Sequence, residues 1–324
     1  MFVVVGHVIS NRAPRAVGVD AVNVAALGVQ IFFVLSGFLI TTLLVREQER
    51  TGRISVRNFY IRRILRLWAP LYAMLLGMAL LGAVGASAVT SDEILAAGLH
   101  IFNYSGIRTS TVGHVWSLAV EEHFYLLFPA AFVFLRRRAL IRVCGTAVIL
   151  SPFVRMASYV LAPGSRDLAS QQTHNRIDAL LIGCLLSLCW TSPQLQRILR
   201  WGTRHGLLIA GLAVLAATVR AESIWHGRFM FPVGYTLQAL IIAVVIGGLQ
   251  LKEGWLRRRL DGRVLVRLGV ISYSVYLWQQ IFTQGDTGHW WTLLPIALLG
   301  PILVGELSYR LIEAPLAKVR NRFR

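Results

Sequence analysis

From Val24 to Val45 the sequence runs 22 residues without a charged side chain. That matches the roughly 20 residues an α-helix needs to cross a bilayer. Similar apolar spans can be drawn at 2–9, 67–89, 115–135, 139–162, 177–190, 206–221, 230–250, 268–284 and 291–312. They are continuous, whereas a barrel strand alternates polar and apolar positions over roughly ten residues. Only 15% of the 324 residues are charged, against about 25% in a soluble domain, and the mean hydropathy is +0.61. The expected fold is an all-α polytopic membrane bundle of about ten transmembrane helices. It forms a single domain over 1–324, with no soluble C-terminal domain expected.

A net charge of +18 invites a nucleic-acid reading, and its distribution argues against one. With the N-terminus inside, the cytoplasmic pieces are 46–66, 136–142, 191–205, 251–267 and 310–324. They hold 25 of the 33 Lys and Arg residues; the outer connections hold 7, and Arg155 lies within a span. This is the positive-inside bias of a multi-pass protein of the inner (cytoplasmic) membrane, with its C-terminus in the cytoplasm. The partner so implied is the lipid bilayer, and no nucleic acid. Cys144, Cys184 and Cys189 sit inside apolar spans as small fillers, with no metal-ligand spacing. Segments 46–66 and 90–114 read as polar loops.

A charge at mid-membrane costs about 2.5–3.5 kcal/mol on insertion scales, so each one needs a partner or a task. His7, in Val5-Gly6-His7-Val8, can act as a base toward a hydroxyl or simply hold a neighbouring helix. On a helix Arg63 and Arg66 share a face, with Arg62 on the adjoining stripe. Such guanidinium forks suit a diphosphate, and they equally suit a headgroup anchor. Trp116-Ser117-Leu118-Ala119-Val120-Glu121-Glu122-His123-Phe124-Tyr125 sets two acids in an apolar span. There Ser117, Glu121 and Tyr125 form one i, i+4 row, while Glu122 points elsewhere. Arg155 needs an acid, and Asp178, Glu121 and Glu122 are the candidates. Arg176-Ile177-Asp178 is a second charged group for the cavity or for structural pairing. Ser36-Gly37 allows close helix packing. Trp116, Trp278, Trp290, Trp291 and Tyr309 fall near span ends, where interfacial aromatics are expected.

Six stretches, in order, resemble the acyltransferase-3 family of membrane acyltransferases. They are Phe32-Phe33-Val34-Leu35-Ser36-Gly37-Phe38-Leu39-Ile40, Arg62-Arg63-Ile64-Leu65-Arg66 leading to Pro70-Leu71-Tyr72, and Val115 to Tyr125. Arg176 to Gly183, Ile271 to Trp278 and Tyr309-Arg310-Leu311-Ile312-Glu313-Ala314-Pro315 complete the set. The resemblance implies transfer of an acyl group, often acetyl, from cytoplasmic acyl-CoA (acetyl-CoA in the simplest case) as co-substrate. The acceptor would be a hydroxyl of a carbohydrate, a lipid-linked glycan or a small secreted molecule. It implies no bound cofactor and no metal. Its Arg-x-x-Arg pair falls on Arg63 and Arg66, and its first-helix histidine on His7. This chain departs from the pattern at His123, where Gln is usual, and at Gln279-Gln280, where many members have His.

The mechanism expected from this is direct transfer. CoA phosphates dock at Arg63 and Arg66, with Arg62 beside them. His7 deprotonates the acceptor, and Glu121 or Glu122 orients it or a partner group. Ser36, Trp116, Ser117, Tyr125, Arg155, Arg176 and Asp178 line or support the cavity. Neither Ser36 nor Ser117 carries a nucleophile signature. A transporter or flippase, and an inactive truncated relative, are the competing readings. The resemblance also places a basic residue eleven positions before His7. With only nine residues from Met1 to Ile9, the expectation is a first helix truncated at its N-terminus.

Overall fold

The structure is a computed structural model that describes residues 1–12, 21–107, 111–225, 227–251, 255–284 and 289–323. Among these residues every regular element is helical. Six helices are long and apolar enough to cross a membrane: Asn23–Thr51, Val56–Ala83, Gly113–Phe134, Arg137–Leu161, Leu207–Trp225 and Met230–Leu251. A seventh candidate, Pro163–Leu188 with Pro193–Arg204, is bent by 105° at its break. The other expected spans fall on shorter or more polar helices. Phe2–Arg12 and Thr173–Leu188 have 11 and 16 residues, or about 16 and 24 Å at 1.5 Å each. Arg263–Thr283 has the length but carries Arg263, Arg267, Gln279 and Gln280.

Two expected loops are largely helix. The Ala21–Thr51 helix runs on through Arg46, Glu47, Glu49 and Arg50, and the next helix begins at Val56. Arg and Glu are good helix formers, so a helix need not stop where the apolar run stops. Within 90–114, Thr90 and Glu93 form a capping box that starts Ser91–Gly98. The Glu93 carboxylate accepts from the Thr90 amide at 2.7 Å, and Thr90 Oγ1 accepts from the Glu93 amide at 3.3 Å.

The chain forms two compact units. The first comprises Met1–Ala16, Ser55–Ala119 and Gly262–Arg324; the second comprises Val17–Ile54 and Val120–Asp261. In the first, Val4 and Val8 of the opening helix pack on Ile271, Val275 and Ala297. Gly305 brings the Ile296–Ser308 helix against the Val275 backbone, where a Cβ would lie 2.8 Å from the amide nitrogen. In the second, the Ala21–Thr51 and Thr173–Leu188 helices touch backbone to backbone. A Cβ on Gly37 would stand 1.9 Å from the Leu180 carbonyl oxygen, and one on Gly183 would stand 2.1 Å from that of Val34. Without water as a partner, membrane helices associate largely through such close packing.

Gly183→Ala should therefore force the two helices apart. Overpacking of a close contact costs about 1–3 kcal/mol or more. Gly145→Ala, where a Cβ meets nothing within 4 Å, is the matched control. Size-exclusion profiles of fluorescent fusions in detergent should show loss of the monodisperse peak for Gly183→Ala and no change for Gly145→Ala.

Candidate active site

In the first unit the basic run opens at Ser55, whose hydroxyl caps the Val56–Arg63 helix by accepting from the Asn58 amide at 3.3 Å. The helix then widens into a π-helical turn, Ile64–Trp68, before continuing as Ala69–Ala83. The Tyr273 hydroxyl donates to the Leu67 carbonyl at 2.7 Å and ties this turn to the Arg263–Thr283 helix. Single π turns are frequent at functional sites. Arg63, whose guanidinium lies 5.7 Å from the centre of the Phe59 ring, immediately precedes this turn, and Arg66, which is exposed, lies within it. Arg62 donates through Nη1 to the Phe323 carbonyl at 2.6 Å. Close by, Glu313 accepts a hydrogen bond from Ser274, and Ser274 also reaches Ser308 at 3.3 Å. Burial raises the Glu313 carboxyl, while Ser274, Arg66 and Arg320 pull it down.

His7 is half-buried on the opening helix, within electrostatic reach of His114. His114 sits in the 3-10 turn Gly113–Val115 that leads into the Trp116–Phe134 helix. Its Nε2 lies 3.1 Å from the Leu277 carbonyl oxygen, so Nε2 carries the proton and Nδ1 is the acceptor. The ring stands edge-on to Tyr276, with centroids 5.2 Å apart. The Tyr276 hydroxyl donates to the His114 carbonyl at 2.6 Å and shares a 2.5 Å hydrogen bond with Ser117 Oγ. Ser117 is fully buried and also reaches the His114 carbonyl, at 3.1 Å. Trp116 beside it is half-buried.

The second unit holds the acids. Glu121 is 2% exposed and accepts from the Tyr125 hydroxyl at 2.9 Å; Tyr125 in turn pairs with Ser36. Glu122 is half-buried on a different face. His123 meets Thr173 at 2.7 Å. Deeper in this unit Arg155 is wholly enclosed, and the acid that answers it is Asp178, at 2.9 Å. Arg155 also donates to the Asn175 carbonyl at 3.0 Å and to Thr236, and the Thr236 hydroxyl donates to Asp178 at 2.6 Å. Arg176 lies 3.8 Å over the Tyr235 ring and donates to Gln30 at 2.8 Å.

The structure thus gathers His7, Arg62, Arg63, Arg66, Trp116 and Ser117 in the first unit. Ser36, Glu121, Glu122, Tyr125, Arg155, Arg176 and Asp178 belong to the second. Sequence reasoning missed His114 and Gln30, and it assigned no role to Tyr276 and Glu313, although both lie in the stretches that carry the resemblance. His114 stands just ahead of the Trp-Ser pair, and its position before a charged span was the only available signal.

The chain belongs to the acyltransferase-3 family: the family's acyltransferase-domain model matches residues 1–307. Two relatives are the O-acetyltransferase OatA proteins of Staphylococcus aureus strains NCTC 8325 / PS 47 and COL. Each is 28% identical over 90% of this chain and 52% of its own length. The chain therefore spans about half the length of the curated relatives it matches. No solved structure matches it.

Removing one member of a buried ion pair strands the other and costs about 3–5 kcal/mol. Arg155→Met and Asp178→Leu should each lower the melting temperature sharply. The double variant, which strands no charge, should recover much of that loss. Equal melting temperatures for wild type and both single variants would contradict this reading.

Proposed function

We propose that this protein is a membrane O-acyltransferase. It moves an acyl group, acetyl in the simplest case, from cytoplasmic acyl-CoA to a hydroxyl of a carbohydrate, a lipid-linked glycan or a secreted metabolite. The observation that carries this reading is the family match along 1–307, together with relatives named O-acetyltransferases. The protein sits in the inner membrane with its C-terminus in the cytoplasm, as its arginine distribution suggests.

Arg63 and Arg66 grip the CoA diphosphate with planar forks, a geometry a lysine cannot supply. Arg62 supports them while tied to Phe323. His7 takes the proton of the acceptor hydroxyl as its oxygen attacks the thioester carbonyl. The new C–O bond forms and the C–S bond breaks. CoA leaves as a thiolate, which recovers the proton from His7. Glu121 acts through Tyr125 and Ser36, holding their hydroxyls in place, so it is a positioning residue. Glu122, on its separate face, should respond differently to substitution.

The test uses purified protein in liposomes with acetyl-CoA. Arg63→Ala and Arg66→Ala should each raise the KM for acetyl-CoA about 10- to 100-fold, the equivalent of one charged hydrogen bond. Lysine at either position should rescue poorly. His7→Gln should lower kcat by about 10²–10⁴ at unchanged KM. Wild-type donor saturation in both arginine variants would make these residues headgroup anchors and remove the donor site. Orientation is read separately: a reporter after Arg53 should be cytoplasmic, and one near Gly106 external.

A further inference from the structure

The C-terminal end of the Arg263–Thr283 helix carries polar atoms that packing does not explain. Gln279 is 0% exposed, and among the described residues neither its Nε2 nor its Oε1 has a hydrogen-bond partner. Gln280 is 8% exposed, and its Oε1 has none either. Nor does the buried Nδ1 of His114. An unsatisfied buried polar group costs about 1–3 kcal/mol, so leucine at either glutamine would suit a purely structural helix better. Gln279 and Gln280 are adjacent on this helix, and His114 docks on it from the Gly113–Val115 turn. Tyr276 and Leu277 hold His114, and Gln279 and Gln280 follow at three and four residues from Tyr276, on the same stripe about one turn on.

The set is uncharged, with acceptors on His114 Nδ1 and both glutamine Oε1 atoms and a donor on Gln279 Nε2. A hydroxyl both donates and accepts, so neighbouring hydroxyls satisfy such a set. An anion would call for cationic groups, and the stripe supplies none. We propose that His114, Gln279 and Gln280 form the binding site for the acyl acceptor, which is a neutral polyhydroxylic molecule such as a sugar ring. This rests on the acyltransferase reading and names its acceptor class. In that arrangement His7, on the opening helix of the same unit, serves a hydroxyl that the stripe orients.

The experiment separates binding from chemistry. Full-length protein in detergent is melted with and without a panel of neutral methyl glycosides, and with a sugar phosphate as the charged comparison. At least one neutral glycoside should raise the melting temperature of wild type by mass action, and the sugar phosphate should not. Gln279→Leu should lose that shift while melting, without sugar, at or above the wild-type temperature, because it removes an orphaned amide. In liposomes the same variant should show at least a tenfold higher KM for the glycoside, with the KM for acetyl-CoA unchanged; Gln279→Asn should recover part of the loss. The proposal is overturned if no neutral glycoside shifts wild type, or if Gln279→Leu keeps the shift. It is equally overturned if Gln279→Leu melts lower and loses acetyl-CoA use in parallel, which would mark Gln279 as structural. A shift that depends on Gln279 without any acyl transfer would uphold the site and sink the acyltransferase reading instead.

Discussion

Inside a bilayer no water stands ready to satisfy a buried polar group, so the protein must supply every partner itself. At the Arg155–Asp178 pair most of that demand is met from within the chain, with only Arg155 Nε and Asp178 Oδ1 left without a hydrogen-bond partner among the described residues. Arg155 is fully enclosed, and its guanidinium is met by a carboxylate, a backbone carbonyl and the Thr236 hydroxyl. Asp178 is shared between Arg155 and Thr236, which locks three helical segments around one charge. Arg176, Gln30 and Tyr235 extend the same economy, with Arg176 two residues before Asp178 and Tyr235 next to Thr236. A buried ion pair adds little net stability over an apolar replacement. What it does add here is a fixed arrangement, because each partner is costly to leave alone.

The glycines make that arrangement reachable. Gly37 and Gly183 let two helices meet at the distance of their backbones, and Ser36, next to Gly37, then pairs with Tyr125. Tyr125 is in turn held by Glu121. Small residues, polar pairs and an apolar exterior are thus parts of one solution in which close backbones bring short polar side chains within reach.

Six of the expected spans were legible in the sequence because burial in lipid demands long apolar runs, which composition displays directly; the expected spans at 2–9, 177–190, 268–284 and 291–312 fall on shorter or more polar helices. Tertiary partners were not legible. Arg155 had three candidate acids, and only the folded chain selects Asp178, 23 residues away. The π turn at Ile64–Trp68 leaves no mark in residue type, so Arg63 and Arg66 were expected on an ordinary helix. The helix continuing to Thr51 was hidden because polar helix formers look like a loop once the apolar signal ends. His114 was overlooked for a related reason: it precedes its helix, and its value comes from Leu277 and Tyr276, more than 160 residues on. The resemblance to a family supplied His7 and the arginine pair, which composition and spacing alone had left open.

These hydrogen bonds bear on how the acyl group travels. Ser117 is buried against Tyr276 and the His114 carbonyl, and Ser36 is paired with Tyr125, so both serine hydroxyls are engaged by neighbours other than a base. A serine nucleophile is activated by an adjacent general base, and neither hydroxyl has that setting. This agrees with the proposed direct transfer, in which His7 is the base. The most direct measurement is to incubate the protein in liposomes with acetyl-labelled acetyl-CoA, before any acceptor is added, then quench in acid and count label on the chain. The account predicts none on the protein, and label appearing in product only once a hydroxyl acceptor is supplied. Stoichiometric label on Ser36, Ser117 or His7 would contradict it.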